Sequence, residues 1–449
     1  MRSRGIPAHI RFYVAVWCGY FALLVLLPVR YGRAEWDLAF GALVAFVVAS
    51  TITAVLADLA LRRPTSRPVD LSRIAAGPFT TREVERLVLA GIAMSLVGFV
   101  LLAYDRIVIQ GIDFSHGLAV ARNLWRDAAQ DRQGVSSWAS ALGYIFGFTF
   151  LAASVVAFVH WESLGRHARG AVIIGVPTLA LANSVLTGGR SILVVQFAAL
   201  AAGAALRAAA GRRVVPGRFI SVVMVTGVFV LVALGYSLYV FSSRATASSI
   251  APSQYTVEML RYLGGVPTRA YFALDALPFQ AASILQFAVI AGSYVTHSAG
   301  TFESVLFIGQ TPGRVSFGFV LLLLDKLGVP VPESQEWILG GRFLSLPGSL
   351  WYDFGWTGLG VGAVAMGLLL AAVPRLAASR GFGGLGTGAA TGILVVAFMS
   401  PLLVAVDSLA FPFMIVGFVL LDIMQRCSAG RRNWLLLGCR VAFRARGRP

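Results

Sequence analysis

Charge is what this 449-residue chain has least of. Asp, Glu, Lys and Arg make up 13% of it, against 57% hydrophobic residues. A soluble domain carries about a quarter charged residues, so this chain lacks the polar surface that water requires. Lysine is nearly missing: Lys326 is the one lysine among 37 cations, the rest being arginine. Cysteine is confined to Cys18, Cys427 and Cys439. No CxxC pair and no Cys/His zinc spacing exists, which argues against a zinc module. The P-loop GKS/GKT, the GxSxG elbow and HExxH are missing too. Their absence argues against an ATPase, a serine hydrolase of that type and a zincin.

What is present is a series of continuous apolar runs. They lie near 11–29, 36–60, 86–104, 138–160, 170–187, 191–208, 219–241, 354–374, 385–404 and 408–424. Each is long enough, at 1.5 Å per residue, to cross a hydrocarbon core of about 30 Å. Ten-residue alternation is not seen, so helices are expected rather than a β-barrel. The first run follows Arg2 and Arg4, is long for a signal peptide and has no A-x-A site after it. An uncleaved first membrane helix is expected. The fold class is therefore all-α: one polytopic membrane domain, 1–449, with about 10–12 transmembrane helices.

The arginines set an expected orientation. With the N-terminus inside, the inside segments hold 24 of the 37 cations, while the outside keeps 13 cations and 14 acids. That asymmetry is the positive-inside pattern and places both termini in the cytoplasm, with a basic tail at 425–449. It accounts for the net charge of +17 without a nucleic-acid partner, since a basic tail suits anionic lipid. None of the cysteines falls outside, so no external disulfide is expected. Ionisable residues at mid-span are scarce, which argues against an ion-coupled carrier.

Two regions fall outside by this scheme, 105–137 and 242–353. In the first, Leu118, Val120, Ala121, Leu124, Trp125 and Ala128 share one side of an expected surface helix, with Arg122 and Arg126 elsewhere. Asp105 and Arg106 are expected to pair at a span end. In the second, "ILQFAVIAGSYV" and "RVSFGFVLLLLD" are apolar but short or interrupted. They are either two further spans or interfacial and re-entrant helices. "YLGGVPTR" and "GQTPGR" are breaks of the kind tolerated where backbone lines a cavity.

Arginine outside opposes the topology, so each one retained there asks for a reason. Arg190 in "LTGGRSILVVQF" sits after a two-glycine turn, where the next helix begins. Backbone N–H groups and the helix dipole favour an anion at that place, and guanidinium grips phosphate in two places at once. The plainer reading is snorkelling to the interface. Arg314 in "TPGRVSF" repeats the pattern, and Arg244 in "FSSRATASS" follows a span; both also fit ordinary helix-end arginines. Asp353 in "GSLWYDFGWTGLGVG", Glu336 and His297 are the candidate proton acceptors. The alternative for the acids is a cap or ion pair, and for His297 a hydrogen-bonded polar residue. Trp351 and Tyr352 suit either an interfacial belt or stacking on sugar rings.

"YDRIVIQGIDFSHGLAVAR", "TGGRSILVVQF" and "LWYDFGWTGLGVG" together resemble the Wzy-type oligosaccharide repeat-unit polymerases, within the O-antigen polymerase and ligase group. The likeness runs over about 90–425 by organisation. It implies a GT-C-like membrane glycosyltransferase of O-antigen, capsular or exopolysaccharide biosynthesis in the bacterial cytoplasmic membrane. It also implies a polyprenyl-diphosphate-linked donor and acceptor, inversion, and no metal or other cofactor. On it, Arg190, Arg244 and Arg314 bind the diphosphate. Arg122, Arg342, Trp351 and Tyr352 contact substrate, and Asp353, Glu336 and His297 are the catalytic candidates. Membrane lipid, a flippase and chain-length regulators are the implied partners. An O-antigen-type ligase and a lipid-linked glycan transporter or flippase are the alternatives.

Overall fold

The computed structural model describes residues 6–32, 35–61, 81–115, 121, 124, 137–187, 191–216, 235, 252–308, 315–318, 320–321, 324, 328–330, 343–378 and 383–445. Helices dominate. α1 is Ala8–Leu26 and α2 is Trp36–Leu61. α3, Thr81–Tyr104, runs into a π-helical turn at Asp105–Ile109. α4 (Trp138–Gly147) and α5 (Thr149–Val159) meet at Phe148. α6 (Arg166–Thr187) and α7 (Ser191–Ala209) follow. The later helices are α8 (Pro252–Tyr262), α9 (Phe279–Ile308), α10 (Leu346–Ala378), α11 (Gly383–Met399) and α12 (Ala410–Ala445).

Eight helices among the described residues are long and apolar enough to cross a membrane: 8–26, 36–61, 82–109, 138–159, 166–187, 191–209, 346–378 and 410–427. The chain is a polytopic helical membrane protein. α11 is apolar but shorter. The expected span 219–241 lies outside the described residues except for Gly235.

α5 is the centre of the bundle. It is apolar on all sides, and a helix of that kind is stable only when neighbours cover it completely. α3, α6, α7, α11 and α12 pack around it, and all its residues but Phe158 are buried. The expected span 138–160 is present as 138–159, with its helix interrupted at Phe148. Ser95 of α3 fills the break: its hydroxyl accepts the Phe150 N–H at 2.7 Å and lies 2.9 Å from the Thr149 hydroxyl. Thr149 in turn donates to the Gly91 carbonyl at 2.8 Å. In lipid such freed backbone groups must find protein partners. Glycines allow the close approach this needs. A Cβ at Gly98 would overlap the Gly147 backbone, and one at Gly91 would lie 2.8 Å from the Ala153 Cβ.

One end of the bundle is tied by hydrogen bonds across long sequence distances. Val29–Arg30 and Val266–Pro267 form a two-residue antiparallel ribbon, β1 and β2. "YLGGVPTR" is therefore a turn and strand, with Gly264 at φ 81°. The Tyr31 hydroxyl donates to the Ser293 carbonyl at 3.2 Å. Ser298 donates to the Pro401 carbonyl at 2.6 Å, and Trp17 donates to the Ser400 hydroxyl at 3.1 Å. The Ser400 carbonyl accepts the Leu346 N–H at 2.8 Å. The first of the two short runs, 284–295, lies within α9, one continuous 30-residue helix, while the second, 314–325, lies beyond it and is described only at 315–318, 320–321 and 324. α9 is not among the eight helices apolar enough to span. The centre of α9 meets the chain just beyond the end of α1.

The opposite helix ends are joined by charge. Arg207 is 1% exposed and makes a two-point ion pair with Glu162, while also donating to the Phe158 carbonyl at 3.0 Å. Arg375 donates to the Leu61 carbonyl, and Asp422 pairs with Arg426 at 2.7 Å. The first two contacts join helix ends that alternate crossing puts on the same side, and the third lies within α12.

Candidate functional site

The span expected at 354–374 is present within Leu346–Ala378, and the stretch "LPGSLWYDFGWTGLGVG" leads into it. The helix is broken at Gly355, which has φ 63° and ψ −156°, a conformation open to glycine and strained for other residues. Residues 346–354 fold back on 356–362. The Leu350 side chain lies against Gly362, and a Cβ at Gly358 would sit 2.5 Å from the Leu350 carbonyl oxygen. The glycine spacing reads as helix contact: Gly358 and Gly362 present bare backbone to the returning turn. The consequence is a short re-entrant helix whose polar residues face protein.

Asp353 sits in that short helix, 3% exposed. Its carboxylate accepts the Val315 N–H at 3.2 Å and the Ser316 N–H at 2.6 Å. The Phe317 and Phe354 rings meet edge to face at 6.2 Å. A Cβ at Gly318 would lie 3.5 Å from the Asp407 carboxylate oxygen. Thus the 315–318 turn is held between the re-entrant helix and the loop before α12.

Trp351 packs its ring on Phe302 of α9 and on Trp356, at 6.0 and 6.1 Å. Its indole N–H is buried and has no hydrogen-bond partner among the described residues. The same holds for the hydroxyls of Ser316 and Ser349. Ser349 precedes Asp353 by one turn on the same face, and Ser316 is bonded to Asp353. Buried donors are normally satisfied, so three of them around one short helix suit a polar ligand. Tyr352 is buried at 4% exposure.

His297 lies on α9, 1% exposed. Its Nε2 accepts the Phe343 N–H at 3.0 Å, and its Nδ1 lies 2.8 Å from the Tyr294 carbonyl. A carbonyl only accepts, so Nδ1 carries the proton and the imidazole is neutral. The Phe343 ring also meets the imidazole at 5.8 Å. Glu303, next to Phe302, is 3% exposed. It was visible in the sequence as an external acid, but nothing there set it apart. Asp407 was missed because the loop that holds it separates two adjoining apolar runs.

Asp353, His297, Trp351 and Tyr352 are therefore gathered into one region by α9 and the re-entrant helix. Arg122, Arg190, Arg244, Arg314, Arg342 and Glu336 lie outside the described residues. The flanks of Arg190 are described: α6 ends at Thr187 and α7 begins at Ser191. In the 105–137 region, Asp105 and Arg106 are buried and bridged by Gln110. Arg106 also donates to the Tyr144 hydroxyl at 2.7 Å, and Ser137 donates to Asp105 at 2.6 Å. The two ends of that region are thereby fastened together. Its expected surface helix lies outside the described residues except for Ala121 and Leu124, both helical.

Comparison with protein-family models, curated proteins and solved structures finds no match for this chain.

Proposed function

We propose that this chain is a membrane glycosyltransferase that polymerises oligosaccharide repeat units carried on polyprenyl diphosphate. The observation that carries the reading is the re-entrant helix at 346–354. It gathers three buried, unpartnered donors and an aromatic pair, Trp351 and Trp356, at one end of a helical bundle. Sugar hydroxyls take hydrogen bonds from such donors, and sugar rings stack on such aromatics. A few placed polar groups within an apolar setting are the usual make-up of a ligand site.

On this reading this end of the bundle faces the outer side of a bacterial cytoplasmic membrane with both termini inside, an orientation that the positive-inside pattern supports. The architecture is GT-C-like on this reading. An acceptor hydroxyl attacks the anomeric carbon of the donor glycan, and a new C–O bond forms as the C–O bond to diphosphate breaks. The diphosphate leaves with the bonding electrons, and the hydroxyl proton passes to a base. Arg190, Arg244 and Arg314 stabilise the charge that develops on the leaving group. One preorganised donor of this kind contributes about 3–4 kcal/mol to catalysis. A flippase supplies the lipid-linked units, and a chain-length regulator is the expected partner.

Arg190→Ala tests the reading in cells that depend on this chain for their glycan. With normal membrane insertion, the variant is expected to leave single capped units and no long chains. Full-length polymer in that strain removes the reading. A ligase instead leaves long chains stranded on the polyprenyl carrier when the gene is deleted. A transporter leaves substrate on the inside.

A further inference from the structure

The break between α4 and α5 frees backbone groups of both kinds, and its two sides are treated differently. The N–H side is closed: the Phe150 N–H goes to the Ser95 hydroxyl and the Leu151 N–H to the Phe148 carbonyl. In a continuous helix those donors would serve the carbonyls of Phe146 and Gly147, four residues back. The Phe148 N–H, which would serve Tyr144, turns to the Phe146 carbonyl instead. Phe146 is further compensated by the Ser95 hydroxyl, 3.3 Å from its carbonyl oxygen. The carbonyls of Tyr144 and Gly147 have lost their helical donors, and they lie at the C-terminal end of α4.

A third acceptor comes from α6. Asn183 is fully buried, at 0% exposure. Its amide nitrogen donates to the Leu179 carbonyl at 2.8 Å. A carbonyl only accepts, so this bond fixes which end of the amide is nitrogen and which is oxygen. The Oδ1 is buried and has no hydrogen-bond partner among the described residues. It lies beside the end of α4: a Cβ at Gly147 would be 3.5 Å from it. Glycine at that position leaves the last turn of α4 bare toward Asn183.

Buried acceptors are normally satisfied, and three acceptors without a donor specify the guest. A water molecule has two hydrogens to give, too few for three oxygens. A cation serves all three at once. The three ligands are neutral, and the cost of taking an ion out of water grows with the square of its charge, so a single charge fits and a double one does not. The C-terminal end of a helix carries the negative end of its dipole, which favours a cation there. Carbonyl oxygens at the end of an interrupted helix are known ligands of such ions in membrane proteins. We propose that the α4–α5 break holds a monovalent alkali cation, bound by the Tyr144 and Gly147 carbonyls and the Asn183 Oδ1. The site is structural and independent of the polymerase reading. The ion pins α6 to the break, so the packing around α5 is complete only with it bound.

The experiment is thermal unfolding of the full-length chain in uncharged detergent. NaCl or KCl is titrated against choline chloride at constant ionic strength, since choline screens charge equally but is too large for the site. Wild type is expected to melt higher as Na⁺ or K⁺ rises, along a saturating curve. Asn183→Asp keeps an oxygen and adds a full negative charge, and is expected to lower the cation midpoint about tenfold or more. Asn183→Leu is expected to lose the dependence, and in choline to melt no lower than wild type, because a buried unpaired acceptor has been removed. Binding of radioactive sodium is expected for wild type and not for Asn183→Leu. Identical melting of wild type in all three salts overturns the proposal. So does a cation dependence that survives in Asn183→Leu, which places the ion elsewhere. An unchanged midpoint in Asn183→Asp overturns it as well, and that result decides even where Asn183→Leu does not fold.

Discussion

Leu350 lies against Gly362 although the two are separated by three helical turns in sequence. In an unbroken helix they would stand about 18 Å apart along the axis. The contact exists because the chain reverses at Gly355. Gly362→Leu is expected to push Leu350 out and unseat the re-entrant helix. Overpacking of this kind costs about 1–3 kcal/mol, and Gly355→Ala adds strain of similar size. Thermal unfolding in detergent measures both. A Gly362→Leu protein with unchanged melting and activity is incompatible with the fold-back.

Trp351 makes a sharper separation between stability and function. Its ring is packed, but its N–H is buried without a partner. Trp351→Phe keeps much of the ring contact and removes the unsatisfied donor, which on its own costs about 1–3 kcal/mol. The variant is expected to melt at the same temperature or higher, while its substrate KM rises. A normal KM shows that the indole N–H does not meet substrate.

Ser95 predicts a purely structural loss. Its hydroxyl is the acceptor for the Phe150 N–H at the break between α4 and α5. Ser95→Ala leaves that buried N–H without its acceptor, at a cost of about 1–3 kcal/mol. Lower melting with intact polymer in surviving protein is the expected pair of results. Ser95→Thr keeps the hydroxyl and is expected to recover part of the loss.

Acid is expected to loosen the end of the bundle near Arg207. Burial and the charges of Arg212 and Arg207 push His160 from 6.5 down to about 4. The folded chain therefore binds this proton more weakly than the unfolded chain does. The stability it contributes is complete above pH 6.5 and is lost as pH falls toward 4. Glu162, lowered by its Arg207 hydrogen bond, acts in the same direction below its ordinary 4.5. Melting temperature measured from pH 7.5 to 4.5 should fall, and His160→Gln should flatten the fall. Parallel curves for the two proteins count against this assignment.

The spans were legible because lipid demands long apolar runs, and 36–60, 170–187 and 191–208 coincide closely with α2, α6 and α7. Breaks were harder to read. Phe148 interrupts a continuously apolar run because of a distant partner, Ser95, while the break at Gly355 falls at the mouth of a run and depends on the Gly358–Gly362 face. α9 misled in the opposite sense. Its apolar run 284–295 looked short or interrupted, but Thr296 and Thr301 return their hydroxyls to the carbonyls one turn back and the helix continues. At the site, Asp353 and His297 could be singled out by residue type and place. What each one binds is a backbone N–H, and no sequence pattern records that.

The bond between Trp17 and Ser400 spans 383 residues. At about 5–20 residues per second, the two are synthesised roughly 20–75 s apart. Through that interval α1 has Trp17 and Tyr20 turned toward lipid or toward temporary neighbours, since Tyr20 also waits for Ser298, whereas Tyr13 meets Ser50 of α2 only 37 residues on. Only after α11 has been made is α1 fully seated. Its aromatic face must tolerate two environments in succession, one fluid and one packed.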